Sequence, residues 1–277
     1  MGRRIARRMI TRLRADTRTR RLDDLVVEEP LEIRLNGAPL SITMRTPGHD
    51  FELAAGFLVS EGVVGAAGDL AGIAYCPGAR TEGGNTYNVL DVTLAAHVPV
   101  SEFSLARNVY TTSSCGVCGK ASLDAVRTVA RWSIREDPIR LDPSVLRALP
   151  DRLRESQLLF ERTGGLHAAA LCTVDGELLA VREDVGRHNA VDKLLGWALL
   201  QDRLPLRETI LLVSGRASFE LAQKAVMGGI PALVAVSAPS SLAVELAEET
   251  GLTVIGFLRG TSMNVYTGAE RLLEPVG

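Results

Sequence analysis

The last part of the chain alternates between short apolar runs and helical segments of about ten residues. The predicted elements, in chain order, are strand 209–213, helix 217–227, strand 232–236, helix 240–249 and strand 253–258. Strands joined by single helices form βαβ units, which produce a largely parallel sheet with helices packed on it. The runs 210–213 and 232–236 contain only apolar residues, as expected where a sheet is covered on both faces. The pattern therefore predicts an α/β fold.

A strand-rich pattern precedes this α/β part. Apolar and polar residues alternate in several short runs, and Asn36-Gly37 separates two of them. Asn-Gly favours a two-residue hairpin turn, because both residues readily adopt positive φ. Residues 50–58 carry apolar side chains at helical spacing, and residues 87–94 alternate as a strand. We therefore predict a smaller strand-rich N-terminal subdomain at residues 22–106 and an α/β domain at residues 107–277.

Further elements are predicted within the α/β domain. Asp142-Pro143 is typical of a helix start, because aspartate caps the first turn and proline fits the first helical position. We expect this helix to run to about Arg162. Residues 166–181 are expected to form a hairpin around Asp175-Gly176, and residues 189–201 a helix.

Positive charge is concentrated at the start of the chain. Residues 1–21 hold nine arginines and one aspartate, a formal charge of +8, although the whole chain carries −2. Blocks of like charge usually stay disordered, so we expect residues 1–21 to be a disordered basic leader, with a nucleic-acid-binding or transit segment as the alternative. The acidic remainder offers no basic stripe, and we therefore expect no nucleic-acid partner. No apolar run reaches the ~18 residues of a spanning helix, so we expect no membrane partner.

The cysteine content points to a reducing compartment. Four cysteines in 277 residues are too few for a disulfide scaffold, and we expect a cytoplasmic protein. Cys115 and Cys118 lie in the sequence TTSSCGVCGK at residues 111–120, whereas Cys76 and Cys172 stand alone in strand-like segments. A Cys-x-x-Cys pair can bind a metal, form a redox disulfide or carry a sulfur atom.

The surroundings of this pair favour a reactive thiolate. The pair precedes a predicted helix at residues 121–130, and a helix N-terminus lowers the pKa of a nearby cysteine. Gly116 and Gly119 allow backbone N–H groups to approach the sulfur atoms, and Lys120 adds a positive charge. We therefore expect one of the two cysteines to act as a nucleophile.

Two other interpretations of the pair stay open. A zinc-dependent, deaminase-like hydrolase would need about four metal ligands and a His-x-Glu sequence, which the chain lacks, and we predict no metal. A dithiol–disulfide oxidoreductase needs only the two cysteines, although the neighbouring elements do not match a small thioredoxin-like unit.

Several polar segments of the α/β domain are suited to an anionic ligand. They are TGGLH at residues 163–167, REDVGRHNAVDK at residues 182–193 and FLRGTSMNVY at residues 257–266. Each adjoins a predicted strand, which is where open α/β sheets bind ligands. Their glycine N–H, hydroxyl and guanidinium donors suit a phosphate group. His188, at a predicted helix start, is a candidate acid or base, with helix capping as the alternative.

Five segments together resemble the FdhD/NarQ family of sulfur-carrier accessory proteins of formate dehydrogenase. They are residues 113–119, 163–167, 183–193, 214–216 and 256–266, and the resemblance extends from about residue 22 to the end of the chain. It implies a cytidine-deaminase-like α/β fold without the zinc chemistry, and a homodimer. A further alternative is a noncatalytic cofactor chaperone whose cysteines matter little.

The resemblance also implies a path for sulfur. A cysteine desulfurase of the IscS type would deliver sulfur to Cys115 as a persulfide, with Cys118 as an auxiliary thiol. The sulfur would pass to the bis-molybdopterin guanine dinucleotide cofactor of molybdenum or tungsten, bound transiently, before insertion into formate dehydrogenase. The family's cofactor-binding stretch matches Phe257, Leu258, Arg259, Gly260, Thr261 and Ser262, and guanine nucleotides are expected to bind.

Supporting roles are expected for five further residues. Lysine occurs only at positions 120, 193 and 224, and arginine does not replace it where a compact, titratable charge is needed. We expect the ligand phosphates to contact Lys193 and Lys224. The supporting set comprises Lys120, His167, His188, Lys193 and Lys224.

Overall fold

The computed structural model describes residues 4–76, 80–81, 84–85, 87–99 and 130–274. Cys115, Cys118, Lys120 and the helix predicted at residues 121–130 lie outside this part of the chain, apart from Ala130. The described strands are β1 (Ile5–Arg14), β2 (Thr17–Val26), β3 (Glu29–Leu35), β4 (Ala38–Arg45), β5 (Leu70–Tyr75), β6 (Arg80–Thr81), β7 (Gly84–Asn85), β8 (Val89–Leu94), β9 (His167–Thr173), β10 (Leu178–Asp184), β11 (Thr209–Val213), β12 (Ala232–Ala235), β13 (Thr253–Arg259) and β14 (Ser262–Thr267). The described α-helices are α1 (Asp50–Ser60), α2 (Pro143–Ser156), α3 (Leu158–Thr163), α4 (Arg187–Leu200), α5 (Phe219–Met227) and α6 (Ser241–Thr250).

Six of the described strands form a mixed sheet in the order β10-β9-β11-β12-β13-β14. Only the central strands β11, β12 and β13 run parallel, whereas β9, β10 and β14 are antiparallel to their neighbours. The βαβ pattern of residues 209–258 predicted this centre correctly. The expectation of a largely parallel sheet was wrong at the flanks, because hairpins β9–β10 and β13–β14 add strands without a crossover.

The six-stranded sheet is covered on both faces, as its apolar strands require. Alternate residues of each strand point to opposite faces. Leu211 and Leu233 face a large core shared with α4, α5, α6 and the N-terminal elements. Leu212 and Val234 face a smaller core with α2. The sheet is therefore the middle layer of a mixed α/β fold. The cytidine-deaminase likeness stays a prediction.

A second sheet, in the order β4-β3-β8-β5, belongs to the N-terminal part. The predicted hairpin is confirmed: Asn36 and Gly37 both have positive φ, 49° and 82°, at the turn between β3 and β4. The helix predicted at residues 50–58 is α1, and it packs along α4. Gly56 and Gly196 lie where the two helices meet, and a Cβ on either would overlap backbone of the other helix. The N-terminal sheet and the α/β part thus share one continuous core.

Residues 5–26 correct the expectation of a disordered basic leader. They form an antiparallel ribbon in which β1 pairs with β2 from Ile5–Val26 to Arg14–Thr17. Arginines alternate with Thr and Leu at residues 11–14 and 17–20, which is a strand pattern that the charge count concealed. Asp24 joins the base of the ribbon to the body by an ion pair with Arg162, N to O 2.7 Å.

Two other differences concern residues near the site. The helix expected from Asp142 to about Arg162 divides into α2 and α3, because Gln157 leaves helical geometry with ψ 69°. Its predicted cap is confirmed: Oδ1 of Asp142 accepts a hydrogen bond from N of Ser144 at 2.7 Å. Residues 262–267 form β14, where the sequence indicated only a polar segment.

Candidate functional site

Two of the three polar segments line one edge of the six-stranded sheet, and the third lies beside it. β11 and β12 are parallel, so their carboxyl ends share an edge, and β9 begins there because it is antiparallel to β11. A cleft of about 510 Å³ opens at this edge. The residues that line it include Gly164, Gly165, His167, Val185, Ser214 and Val236. The cleft therefore lies where open α/β sheets bind ligands.

His167 is the titratable ring of the cleft. It is half-buried, and burial lowers its pKa, with a further lowering from the neighbouring Arg187 guanidinium and His188 ring. Its imidazole is therefore neutral at pH 7 and can accept or donate a proton. The neighbouring Ser214 is held by two hydrogen bonds to Ala168, one from N of Ala168 to Oγ and one from N of Ser214 to O of Ala168, both 3.0 Å.

Glu183 and Asp184, at the start of the segment of residues 182–193, point inward and support the cleft. The carboxylate of Glu183 accepts hydrogen bonds from N of Leu159 at 3.0 Å and N of Phe160 at 2.8 Å, and so fixes the first turn of α3. Asp184, fully buried, accepts from N of Thr46 at 3.1 Å and N of Gly186 at 2.8 Å. The carboxylates of Glu183 and Asp184 therefore join the segment that leads into α4 to two other elements, α3 and the N-terminal sheet.

Lys193 and Lys224 lie inside the fold, each with a carboxylate partner. Nζ of Lys193 donates to Oδ2 of Asp184 at 2.6 Å and to O of Thr46 at 3.0 Å. Nζ of Lys224 donates to both carboxylate oxygens of Asp192, at 2.7 and 2.9 Å. Lys193 is 1% exposed and Lys224 8%. Neither offers the free ammonium group that phosphate binding would need, so both stabilise the packing of α4 in this structure.

Arg187 and His188 are the first two residues of α4. Unlike Lys193 and Lys224, each has a buried nitrogen atom without a hydrogen-bond partner among the described residues. In the described part of the chain, Nε of Arg187, Nε2 of His188 and Oγ of Ser218 are shielded from solvent and have no hydrogen-bond partner. Oε2 of Glu220 lies 3.8 Å from Nε2 of His188, which is too far for a hydrogen bond. The proximity of His188 nevertheless lowers the pKa of Glu220 to about 2, against the opposing effect of burial. Polar atoms without partners at such positions need one, which a polar ligand can supply.

The stretch from Phe257 to Ser262 forms the end of β13 and its turn into β14. The guanidinium of Arg259 donates from Nε to O of Val236 at 2.9 Å, which brings this turn beside the cleft. Phe257 is 37% exposed, with a φ of 53°, and the guanidinium carbon of Arg259 lies 5.8 Å from its ring centre. Gly260 also has positive φ, 51°. Leu258 points the other way and is fully buried in the core beneath α2. Only part of the stretch is therefore accessible to a ligand.

The sequence-predicted site residues thus fall into three groups. His167, His188 and the exposed residues of the 257–262 turn lie near one sheet edge. Lys193 and Lys224 are buried in ion pairs. Cys115, Cys118 and Lys120 lie outside the described residues, so their place relative to the cleft stays a prediction.

Sequence reasoning missed residues of α2 and α3 that line the cleft, namely Arg154, Gln157 and Phe160. Gln157 precedes α3, and it interrupts an otherwise continuous helical pattern without a Gly or Pro signal. The guanidinium carbon of Arg154 lies 4.3 Å from the ring centre of Phe160, so these two side chains form one wall. No feature of the sequence alone indicated that this wall faces the polar segments.

Of the two described cysteines, Cys172 is not a candidate for the reactive thiol. Burial raises the pKa of Cys172 to about 12, which keeps its sulfur protonated within the core beneath α2. Cys76 is half-buried at the end of β5. Among the described residues, no group of three or more His, Cys, Asp or Glu side chains is arranged to hold a metal ion. The described helices include none that is long and apolar enough to cross a membrane.

Comparison with known proteins decides the family. The sequence profile of the FdhD/NarQ family matches residues 26–273. The chain belongs to the FdhD/NarQ family. It is 67% identical over 273 residues to the sulfur carrier protein FdhD of Streptomyces avermitilis, covering 98% of this chain and 97% of that protein. It is 59% identical over 276 residues to the sulfur carrier protein FdhD of Mycobacterium tuberculosis, covering 98% and 100%.

A solved structure agrees with the family assignment. A crystal structure from Desulfotalea psychrophila, described as a formate dehydrogenase accessory protein, superimposes with a TM-score of 0.75 at 25% identity, covering 97% of this chain and 99% of that one. The β1–β2 ribbon lies almost entirely before the family profile, which begins at residue 26. The alignments with FdhD/NarQ relatives nevertheless cover 98% of the chain, so they include most of the ribbon.

Proposed function

We propose that this FdhD/NarQ protein is a sulfur carrier that accepts sulfur from a cysteine desulfurase and passes it to a bis-molybdopterin guanine dinucleotide cofactor. The cofactor, of molybdenum or tungsten, would then enter formate dehydrogenase. The observation that carries the proposal is the near-full-length match to proteins named as sulfur carrier FdhD, one of them 67% identical. The cleft at the carboxyl edge of β11 and β12, with the Arg259 turn beside it, supports a nucleotide-bearing acceptor.

The chemistry assigned to Cys115 is a persulfide exchange. The Cys115 thiolate attacks the outer sulfur of the desulfurase persulfide, a new S–S bond forms on Cys115, and the desulfurase thiolate leaves. No electrons are gained or lost in this step. Attack by the Cys118 thiolate on the inner sulfur would then release hydrosulfide and leave a Cys115–Cys118 disulfide. A thiol reductant, as the cytoplasm supplies, would restore both thiols.

The 257–262 turn is the part of the site that we assign to the acceptor. Arg259 supplies a guanidinium suited to phosphate, and Gly260, Thr261 and Ser262 supply backbone and hydroxyl donors. His167 is available as a neutral acid or base in the adjoining cleft. We assign Leu258 to the core beneath this turn, because its side chain is fully buried.

Sulfur transfer is tested by incubating the protein with an IscS-type desulfurase and radiolabelled cysteine. We expect cyanide-labile label on the wild type and on Cys76→Ala, and none on Cys115→Ala. Label that persists on Cys115→Ala would contradict the proposed acceptor. A dithiol oxidoreductase, the second candidate, would instead reduce a disulfide substrate without taking up label.

Two further parts of the proposal have their own measurements. A homodimer is expected to give twice the mass of the 29.7 kDa chain by light scattering. Association with formate dehydrogenase is expected to be retained when Cys115 is replaced by alanine, because docking and sulfur transfer are separate steps. Loss of both association and label in a folded Cys115→Ala protein would contradict that separation.

A further inference from the structure

A second pocket lies where the β1–β2 ribbon meets α3. Its volume is about 390 Å³, and it is lined by Arg4, Ile5, Arg7, Leu159 and Arg162. Guanidinium groups stay charged at neutral pH, so the three arginines give this pocket a strong positive charge. None of its lining residues lines the cleft at the carboxyl edge of β11 and β12. The ribbon pocket is therefore separate from the site described above.

Two of the three guanidinium groups are held in place by one carboxylate. Nε of Arg7 donates to Oδ1 of Asp24 at 3.1 Å, and an Nη of Arg162 donates to Oδ2 at 2.7 Å. The hydrogen bond from Arg162 and, to a smaller extent, that from Arg7 lower the pKa of the Asp24 carboxyl, which is therefore ionised at pH 7. Asp24 itself does not line the pocket. Each guanidinium has five N–H donors, so both keep N–H groups that a ligand can accept from.

The third guanidinium belongs to Arg4, at the base of the ribbon. Its carbonyl accepts a hydrogen bond from N of Val27 at 3.0 Å, which fixes the backbone there. The guanidinium lies against Gly48, where a Cβ would overlap it. No ion pair within the described residues involves Arg4, in contrast to Arg7 and Arg162. Three guanidinium groups and the one carboxylate of Asp24 leave a net charge of +2 around the pocket.

The lining of the ribbon pocket selects a class of ligand. A phosphate monoester carries about −1.5 to −2 charges at pH 7, which matches the net charge of the arginines and Asp24. Guanidinium groups donate paired N–H bonds to phosphate oxygens. Ile5 and Leu159 are half-buried and give the pocket an apolar side, against which an organic group can pack. A carboxylate carries a single charge and would leave part of the positive charge unbalanced.

We propose that the ribbon pocket binds a phosphate monoester with a small apolar group, its phosphate contacting Arg4, Arg7 and Arg162. The ribbon part supplies two of these arginines and α3 the third, so the ligand joins the ribbon to the body of the protein. Arg4 and Arg7 precede residue 26, where the family profile begins, so the site does not follow from the family assignment. It is also independent of the proposed sulfur transfer.

Isothermal titration calorimetry of the full chain with phenyl phosphate tests this site. Arg4→Gln and Arg162→Gln each remove one guanidinium, and Arg4→Gln leaves the ion pairs of Asp24 intact. Arg8→Gln is the matched control, because it removes the same charge from the ribbon on the face opposite to Arg7. We expect the Kd for phenyl phosphate to rise about threefold to tenfold in Arg4→Gln and Arg162→Gln, as for the loss of one hydrogen-bonding group. The Kd of Arg8→Gln should equal that of the wild type.

Two further probes separate the phosphate from the apolar group. Inorganic phosphate lacks the apolar group, and benzoate has a ring but a single negative charge. We expect both to bind the wild type more weakly than phenyl phosphate does. Equal affinity for benzoate and phenyl phosphate would overturn the phosphate site. Equal affinity for inorganic phosphate and phenyl phosphate would overturn the apolar contact with Ile5 and Leu159.

Three other results also contradict the assignment. They are no binding of phenyl phosphate to the wild type, unchanged affinity in a folded Arg4→Gln protein, and equal weakening in Arg8→Gln and Arg4→Gln. The last result would mean that the ribbon attracts anions by its overall charge, without a defined site. Uptake of radiolabelled sulfur by the wild type reports separately on the carrier function, so a failure of the ribbon pocket is distinguishable from a failure of sulfur transfer.

Discussion

Nζ of Lys193 lies 2.6 Å from Oδ2 of Asp184, and the exposed fractions of the two residues are 1% and 0%. This pair joins α4 to the end of β10. It also reaches the N-terminal sheet, because Thr46 donates its N–H to Asp184 and its carbonyl accepts from Lys193. Burial lowers the pKa of Lys193, and the nearby carboxylate of Asp184 opposes that effect. The pair therefore holds the two parts of the fold together at a cost in desolvation that its hydrogen bonds must offset.

Lys193→Met is expected to destabilise the protein. The substitution leaves Asp184 charged, buried and without its ammonium partner, which costs roughly 3–5 kcal/mol for a pair of this kind. The free energy of unfolding, measured in urea by circular dichroism, checks this. Arg147→Met on the exposed face of α2 is the control, and its effect should stay within about 0.5 kcal/mol. If Lys193→Met and Arg147→Met have equal free energies of unfolding, the buried pair contributes nothing to stability.

The crossing of α1 and α4 predicts a strong effect of added volume. A Cβ at Gly196 would overlap the backbone of Glu52, so Gly196→Ala must push the helices apart. We expect a loss of at least about 1–3 kcal/mol in the free energy of unfolding, as for an overpacked core. Gly68→Ala adds the same methyl group where no atom lies within 4 Å, and it should leave the stability nearly unchanged.

The ion pair between Glu52 and Arg182 predicts a loss of stability in acid. Burial would raise the pKa of Glu52, but hydrogen bonds from Arg182 and His49 outweigh it and lower the pKa from 4.5 to about 2. A carboxyl group whose pKa is lowered by folding stabilises the fold above its unfolded value, and this contribution disappears as the pH falls through the folded value. The stability difference between wild type and Glu52→Gln should therefore shrink between pH 4.5 and about 2. Glu245→Gln, at an exposed position of α6, should show no such pH-dependent difference.

The sequence predicted the regular part of the fold well. The strand–helix alternation of residues 209–258 gave each element to within two residues, because apolar strands and capped helices are local signals. The ribbon at residues 5–26 was missed, since the nine arginines of residues 1–21 outweighed a period of two at residues 11–14 and 17–20 that also predicts strands. The failure shows that charge alone does not exclude a paired ribbon whose carboxylates, such as Asp24, bind arginines.

The candidate site was predicted less completely, because the sequence does not show in which direction a side chain points. The segment of residues 182–193 was predicted to contact an anionic ligand. The sequence does not show that the side chain of Lys193 points into the core, whereas Arg187 lies at the start of α4. Residues 189–196 are buried because α4 lies between the sheet and α1. This burial depends on tertiary packing, which no local sequence pattern shows. Gln157 was missed because no local signal marks the break between α2 and α3.

Phe257 and Leu258 provide the most direct test of the acceptor site, because these neighbours face opposite environments. Leu258→Ala should cost about 2–5 kcal/mol of stability, as for a large-to-small change in a core, since its side chain is fully buried. Phe257→Ala should leave stability within about 1 kcal/mol, since its ring is 37% exposed, but should weaken GDP binding by removing a surface beside Arg259. Calorimetric binding and urea unfolding of both variants separate the two effects. If Phe257→Ala binds GDP as tightly as the wild type, the ligand does not contact the Phe257 ring at the turn between β13 and β14.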